Sequence, residues 1–494
     1  MREVPYLGRR YAAIAYSIGV ILVVSGAIQA VPILAAVWYP EETARIPAFL
    51  VPAGIQTLLG LALGLAFRSR RTVELNVREG GVIIVVGWTI VILFSAWPFT
   101  AVLGLPFSRS VFESVSGWTT TGLSVVDVLA AGPAILLWRS VMQLSGGAGL
   151  AVIMMSAVIG PAGTGISSAE GRGDQLVPQV KRSARLVLTV YLSYAAAGIA
   201  GYRLAGMGWF DAINHSFAAV STGGFSTRVE SVGHWDSAAI EAVTLPLMIL
   251  GNLSFVTAWH LFRGRLRTVG RNGEIRLLAV VIPASVTLAF LFTTRELYPR
   301  MDKAFRVAVF EVVTAITTTG FSTVGYGNWN SFGVFLIVIL MLIGGGTCST
   351  AGGIKQSRVY LLWKALVREL RTMAAPRRAV LSVPYWEGER RVFLDDGKVR
   401  QVAAFVVLYL VTYAAGTLVL CACGFGLTES LFEFASALGT VGLSVGLTGA
   451  NMPDAALWAE TLAMFLGRLE LTIVFVSLAK IGTDARNAFA RHSR

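Results

Sequence analysis

Apolar runs of about 20 residues, each long enough to cross a hydrocarbon core about 30 Å thick, recur from residue 11 almost to the end of the chain. Backbone immersed in lipid must satisfy its own hydrogen bonds, so such runs fold as helices and the sequence describes an all-α polytopic membrane protein. The composition agrees, with 55% hydrophobic and 14% charged residues and a mean hydropathy of +0.68. The first run, 11–37, follows Arg9 and Arg10. It exceeds the roughly 7–15 apolar residues of a secretory signal, so it reads as a retained helix. Cys348, Cys421 and Cys423 suit neither a disulfide framework nor a four-ligand zinc site and read as packing residues. The net charge of +13 is spread over short loops, in Arg68, Arg70, Arg71 and Arg78, in Arg172, Lys181, Arg182 and Arg185, in Arg263 to Arg276, and from Lys364 to Arg400. That distribution follows the positive-inside rule, which places these loops in the cytoplasm and argues against nucleic acid as a partner.

Between consecutive basic loops the same parts recur: an apolar run, a semi-polar segment too short to span, and a second apolar run. This is an internal repeat. The first copy uses 82–103, 110–121 and 134–159; the second 186–204, 211–220 and 239–262; the third 277–292, 303–317 and 332–363; the fourth 402–423, 428–438 and 455–478. A plain hairpin, 11–37 and 47–67, precedes them. The implied division is a helix pair at 1–79 and repeats at 80–182, 183–276, 277–400 and 401–494, with both termini on the cytoplasmic side.

Aligned on one glycine, the short segments end in Thr119-Thr120-Thr121-Gly122-Leu123-Ser124, Ser221-Thr222-Gly223-Gly224-Phe225-Ser226, Thr317-Thr318-Thr319-Gly320-Phe321-Ser322 and Gly439-Thr440-Val441-Gly442-Leu443-Ser444. Nine residues before each glycine stand Glu113, His215, Glu311 and Glu433. A helix too short to span ends within the membrane, where irregular backbone is tolerated only in protein or around a water-filled cavity. Glycine there lets the loop aim carbonyl oxygens inward, and rings of carbonyls replace the hydration shell of a monovalent cation. The negative ends of the short helices favour a cation below them. Small residues also let membrane helices approach closely, but four copies in one register exceed that need. The acids have two open roles, holding each loop through backbone N–H groups or ligating a cation. His215 departs from the pattern. Arg139 and Gln143, at the start of the first return helix, read as interfacial and structural.

On these motifs the chain resembles the Trk/Ktr/HKT superfamily of potassium-translocating membrane proteins, and within it the Trk type, over nearly its whole length. The resemblance implies four membrane-pore-membrane repeats around a pseudo-fourfold pore, with the leading helix pair as the Trk-type addition. It implies that Gly122, Gly224, Gly320 and Gly442 discriminate potassium from sodium, together with Thr120, Thr121, Thr222, Gly223, Thr318, Thr319, Thr440 and Val441 in the same loops. Related sodium-selective members carry serine at the first glycine, so potassium is the expected ion.

In the third copy, residues 344–353 read GGGTCSTAGG, followed by Ile354, Lys355 and Gln356. The apolar stretch before them reaches only about 18 Å as a helix, so the break falls at membrane depth, where irregular backbone implies a cavity wall. In the resembled family this region is a gate beneath the filter, here Gly344, Gly345, Gly346, Thr347, Gly352, Gly353 and Lys355; a flexible joint is the plainer alternative. In the fourth copy Arg468 and Glu470 fall near the middle of 455–478. Residues two apart do not face each other on a helix. The resemblance points Arg468 at the pore beneath the filter; an ion pair with a neighbouring carboxylate such as Glu460 is the other option.

The expected activity is channel-like potassium uptake across a bacterial-type inner (plasma) membrane. A proton- or sodium-coupled symporter is the alternative, although such transporters are usually inverted repeats and these copies all begin on one side. A membrane enzyme would need clustered catalytic groups, whereas His215, His234, His260 and His492 are scattered. The resemblance also implies a homodimer resting on cytoplasmic nucleotide-binding regulatory subunits. No nucleotide fingerprint is present in this chain itself. The basic stretch from Lys364 to Arg400 suits either that docking or the membrane lipids.

Overall fold

A computed structural model describes residues 3–70, 73, 75–148, 180–376, 382–387 and 390–492. Almost all of it is helix, with one two-stranded antiparallel hairpin, Pro384–Glu387 with Arg390–Phe393. Among the described residues five helical stretches are long and apolar enough to cross a membrane: Leu7–Trp38, Pro40–Ala66, Val77–Leu103, Gly273–Leu297 and Asp396–Ala422. The pair Asp454–Leu469 and Leu471–Asn487, bent by 98°, makes a sixth if counted as one span.

The leading hairpin is zipped by small residues. A Cβ on Gly19 would lie 2.7 Å from the Gly60 carbonyl oxygen, and one on Gly60 would lie 2.6 Å from that of Gly19. The backbones therefore touch without intervening side chains, as in other close membrane helix pairs. Gln56 donates to the Ser25 hydroxyl inside the pair, and Gln29 donates to the Phe94 carbonyl at 3.0 Å, tying the hairpin to Val77–Leu103. That helix starts in a capping box between Asn76 and Glu79, which satisfies two of its orphan backbone donors reciprocally. Glu79 is also paired with Arg10.

Four short helices lie inside the ring of long ones: Phe107–Trp118, Trp209–Val220, Met301–Ile316 and Leu427–Leu438. Their last turns are buried, except for the half-buried Phe217. Trp118 closes the first of them between Trp88 and Trp138, with ring centroids 6.3 and 6.4 Å away. The last helix, Leu471–His492, returns against Val77–Leu103, where Gly81 faces Ser477. Tyr11 donates to Asp484 at 2.8 Å beside this contact, so the end of the chain packs on its beginning.

The return helices differ from the sequence expectation. The apolar run at 239–262 divides into Ala238–Asn252 and Phe255–Phe262, and the run at 455–478 breaks at Glu470, whose φ is +59°. The expected break in 332–363 falls between Ser331–Ile343 and Gln356–Ala374. The first return helix is described as Pro133–Ala148, and the rest of 134–159 lies outside the described residues, as does Arg172. Cys348 is buried and Cys421 and Cys423 half-buried; none forms a disulfide among the described residues.

The glycine contact predicts that Gly60→Leu lowers stability by about 1–3 kcal/mol through overpacking. Gly54→Leu, at a position with nothing within 4 Å, should be near neutral. Thermal unfolding of the two variants in detergent makes the comparison.

Candidate functional site

Each short helix ends in the same way. After Trp118 the cap residue Thr119 keeps helical angles, Thr120 swings to φ +55°, and Gly122 sits at φ +98°. The Thr121 N–H reaches the Ser116 carbonyl at 2.9 Å and the Thr120 N–H reaches that of Gly117 at 3.2 Å. These two bonds are a Schellman closure, which satisfies orphan carbonyls at a helix end and normally places glycine at the left-handed position. The other three ends repeat it with Thr222, Thr318 and Thr440 at φ +50°, +52° and +49°. A β-branched residue at positive φ is a true outlier, and here it occurs four times at one structural position.

The glycines that follow close the loops into a ring. A Cβ on Gly122 would fall on the Gly223 carbonyl, one on Gly224 on that of Thr319, one on Gly320 on that of Val441, and one on Gly442 on that of Thr121. The contacts run from loop to loop in chain order and return to the start. No side chain fits at any of the four positions. Above the ring lies a cavity of about 660 Å³, lined by all four glycines with Ser124, Ser226, Ser322 and Ser444.

The acids nine residues before the glycines are braces. Glu113 accepts from the Val125 N–H at 3.0 Å and the Ser124 hydroxyl at 3.0 Å; Glu433 accepts from Val445 N–H at 3.1 Å and Ser444 at 2.6 Å. Glu311 accepts from the Thr323 N–H and hydroxyl, both at 2.8 Å, and from Tyr326. His215 performs the task differently. Its Nδ1 faces the Asp211 carbonyl at 2.8 Å, which can only accept, so Nδ1 carries a proton, and Nε2 lies 2.9 Å from the Ser226 hydroxyl. The carboxylate of this quadrant sits one turn earlier, in Asp211, which accepts from Thr227 at 2.6 Å and pairs with Arg228 at 2.8 Å.

Arg139 and Gln143 are structural, and both are buried inside the protein. Arg139 is 2% exposed and Gln143 fully buried, because the short helices pack beside the first return helix at this depth. Arg139 donates to Glu113 at 2.8 Å, to Ser124 at 3.0 Å and to the Ser226 carbonyl at 3.0 Å, with its guanidinium 3.9 Å from the Phe225 ring centroid. It clamps the first loop to the second.

Directly beneath the ring lies the loop 344–355. Thr350 meets the Thr222 hydroxyl at 3.0 Å, and the Gly352 N–H donates to the Thr318 hydroxyl at 2.8 Å. A Cβ on Gly352 would fall on the Thr440 hydroxyl. Three of the four left-handed threonines therefore touch this loop. Gly344 and Gly353 stand at φ +68° and +77°, each against the backbone of the other arm, and Gly345 N–H bonds to Gly352 at 2.9 Å. Gly346 N–H is held by Asn252 Oδ1 at 3.1 Å and Thr347 N–H by Glu274 at 2.8 Å. Lys355, at φ +86°, donates back to the Ala351 carbonyl.

Arg468 lies in the last turn before the bend of the fourth return helix, not in the middle of a straight span. It donates to the Thr350 carbonyl of the loop and, at 2.6 Å, to the Gly146 carbonyl of the first return helix. Glu470 pairs instead with Arg358, at 2.8 Å, just past the loop. Glu460 accepts from Thr448 at 2.9 Å.

Two groups were missed by sequence reasoning. Gly146, Gly251 and Gly467 press on the carbonyls of Trp118, Val220 and Leu438, the last residues of the short helices. Asn252 follows Gly251 as Arg468 follows Gly467, and both hold the loop at 344–355. The signal was present: Leu250-Gly251-Asn252-Leu253-Ser254 matches Leu466-Gly467-Arg468-Leu469-Glu470 in pattern.

Residues 51–487 match the family described as TrkH, cation transport protein. A Trk system potassium uptake protein TrkH of Halomonas elongata is 30% identical over 478 residues, covering 93% of this chain and 96% of the relative. An uncharacterized cation transporter of Methanocaldococcus jannaschii is 28% identical over 473 residues, covering 95% of each. The crystal structure of the potassium transporter TrkH from Vibrio parahaemolyticus superposes with a TM-score of 0.83 at 28% identity, covering 95% of this chain and 98% of that one.

The clamp predicts that Arg139→Ala, which strands the Glu113 carboxylate, destabilises the fold by about 3–5 kcal/mol. Arg139→Lys should recover only part of this, because one ammonium cannot reproduce the planar guanidinium that spans three acceptors. Unfolding temperatures in detergent read both effects.

Proposed function

Because the chain belongs to the TrkH family of cation transport proteins, we propose that it takes up potassium through a pore on the axis of its four-loop ring, in a multi-pass plasma-membrane protein with cytoplasmic termini. The observation that carries this reading is the closed ring of glycines. Their contacts pack four irregular backbone segments edge to edge inside a shell of helices, and irregular backbone at that depth is tolerated where it lines a water-filled path. Ring carbonyls then take the place of the hydration shell. The filter is assigned to Thr120, Thr121 and Gly122, to Thr222, Gly223 and Gly224, to Thr318, Thr319 and Gly320, and to Thr440, Val441 and Gly442. The four repeats around it are drawn at 80–182, 183–276, 277–400 and 401–494, after the helix pair at 1–79.

The gate in this reading is Gly344, Gly345, Gly346, Thr347, Gly352, Gly353 and Lys355 together with Arg468. Support comes from the position of the loop against the filter threonines and from Arg468, which bonds the loop to the first return helix. A fixed positive charge on a cation path also opposes conduction. The helix Gln356–Ala374 leaves the loop directly, and its Gln356 N–H is bonded to the Gly345 carbonyl at 2.8 Å. A pull on that helix is thereby transmitted to the gate. We assign the cytoplasmic segment around Lys364 to Arg400 as the docking surface for nucleotide-binding regulatory subunits beneath a homodimer, which leaves nucleotide binding to those subunits.

Two experiments test the reading. Gly122→Ser places a side chain on the Gly223 carbonyl, so potassium over sodium flux in proteoliposomes should fall by about tenfold or more, a change of about 1.4 kcal/mol; unchanged selectivity would remove the ring from the ion path. Arg468→Ala releases the loop, and basal rubidium flux without regulatory subunits should rise several-fold, as it should on deleting part of 344–353. If basal flux stays at the wild-type level in both, the loop is not the gate.

A further inference from the structure

The four quadrants of the ring are not equivalent, and the difference comes from one side chain. Three residues before the glycine of each return helix, Gly146, Gly251, Gly344 and Gly467, stand Gln143, Met248, Met341 and Met464. All four are fully buried. Three are apolar, and the fourth carries an amide. Gln143 Nε2 donates to the Gly223 carbonyl, while its Oε1 accepts from the Phe225 N–H at 3.1 Å. The amide therefore grips the second loop on both sides of Gly224. That loop is the one whose brace is a histidine instead of an acid.

The Gly223 carbonyl is one of the four on which the ring closes, with those of Thr121, Thr319 and Val441. Among the described residues no N–H or O–H reaches the other three. A carbonyl that already accepts from an amide offers a cation less of its electron density, since both compete for the same oxygen dipole. We propose that Gln143 is a positioning and specificity-determining residue, which commits one of the four ring carbonyls to the protein so that the ion is held by three open carbonyls and one shared. The inference rests on the reading of the ring as the ion path. A ring with one committed ligand holds its ion less tightly and releases it sooner, as conduction requires.

Replacing Gln143 by the residue of the other three quadrants tests this. Gln143→Met frees the Gly223 carbonyl, and the potassium concentration for half-maximal flux in proteoliposomes should fall about fivefold, with a lower maximal rate, as one hydrogen bond's worth of ligand strength passes to the ion. Gln143→Asn keeps an amide but is one methylene too short to grip the loop, so it should move half-saturation in the same direction and covers the case in which the methionine variant folds poorly. A purely structural role would lower the melting temperature and the maximal rate and leave half-saturation within twofold, and that result in the folded variants overturns the proposal. Gly122→Ser in the same assay separates the two readings. If it changes selectivity while the Gln143 variants leave half-saturation unchanged, this inference alone falls; if none of the variants changes either quantity, the ring reading falls with it.

Discussion

Everything at the centre of this molecule depends on a steric fact, that the space where four side chains would begin is filled by four carbonyl groups. Each glycine of the ring is pressed against the carbonyl just before the glycine of the next loop. The contact repeats from loop to loop around the whole circle, so no loop can take its shape alone. It also fixes how the helices arrive. Each must end on the ring's level, turn out of the helix within two residues and leave its last carbonyls satisfied, and the Schellman closure does this in one step. The turn forces a threonine into the left-handed region, at a cost of order 1–3 kcal/mol for each residue. Glycine at Thr120 or Thr318 would remove that strain. At Thr222 and Thr318 the hydroxyl has a partner in the loop beneath, whereas those of Thr120 and Thr440 are buried without one among the described residues.

Strain of this kind persists only where the surroundings over-determine it. The braces provide that. In the first, third and fourth quadrants a buried glutamate takes the N–H twelve residues on, at Val125, Thr323 and Val445. The second quadrant is braced by other chemistry: a histidine on Ser226, a displaced carboxylate in Asp211, and two side chains lent by the first return helix, Arg139 and Gln143. Arg139 holds both loops, so the charge of Glu113 is balanced by a group that also orders its neighbour. The fourfold symmetry belongs to the backbone, and the chemistry of the braces divides three to one.

Much of this was legible because membrane insertion is a length constraint. An apolar stretch of about 18 Å cannot span, and that arithmetic alone located the break after Ile343 and the short helices. The repeated threonine, glycine and serine located the ring, since a fourfold backbone leaves a fourfold trace. The bends at Leu253 and Glu470 were not legible. Neither is marked by proline or a glycine run. Glu470 takes φ +59° among residues that would continue a helix, and Arg358, far away in the chain, pairs with it there. The burial of Arg139 was not legible for a related reason. Two turns from a helix start is an interfacial position only if nothing else dips to that depth, and the short helices do.

Among the described residues the breaks also explain why the third return helix, and not the second or fourth, carries the proposed gate. In the second and fourth copies the chain turns within one or two residues, at Leu253 with Ser254 and at Glu470. So short a break redirects a helix, but it has no reach. The third copy has residues 344–355 free of helix, and twelve residues of irregular chain can extend for tens of ångströms. That is enough to run under the ring, touch the threonines of three loops and return. The other two breaks then act as the walls against which the loop rests, through Asn252 on one side and Arg468 on the other. If the loop is the gate proposed above, its opening has to break both holds. The Arg468 hold is the more exposed to change, because Arg358 past the loop and Glu470 past the arginine form one ion pair. Any shift of the helix Gln356–Ala374 pulls on Glu470, and through it on the turn that aims Arg468.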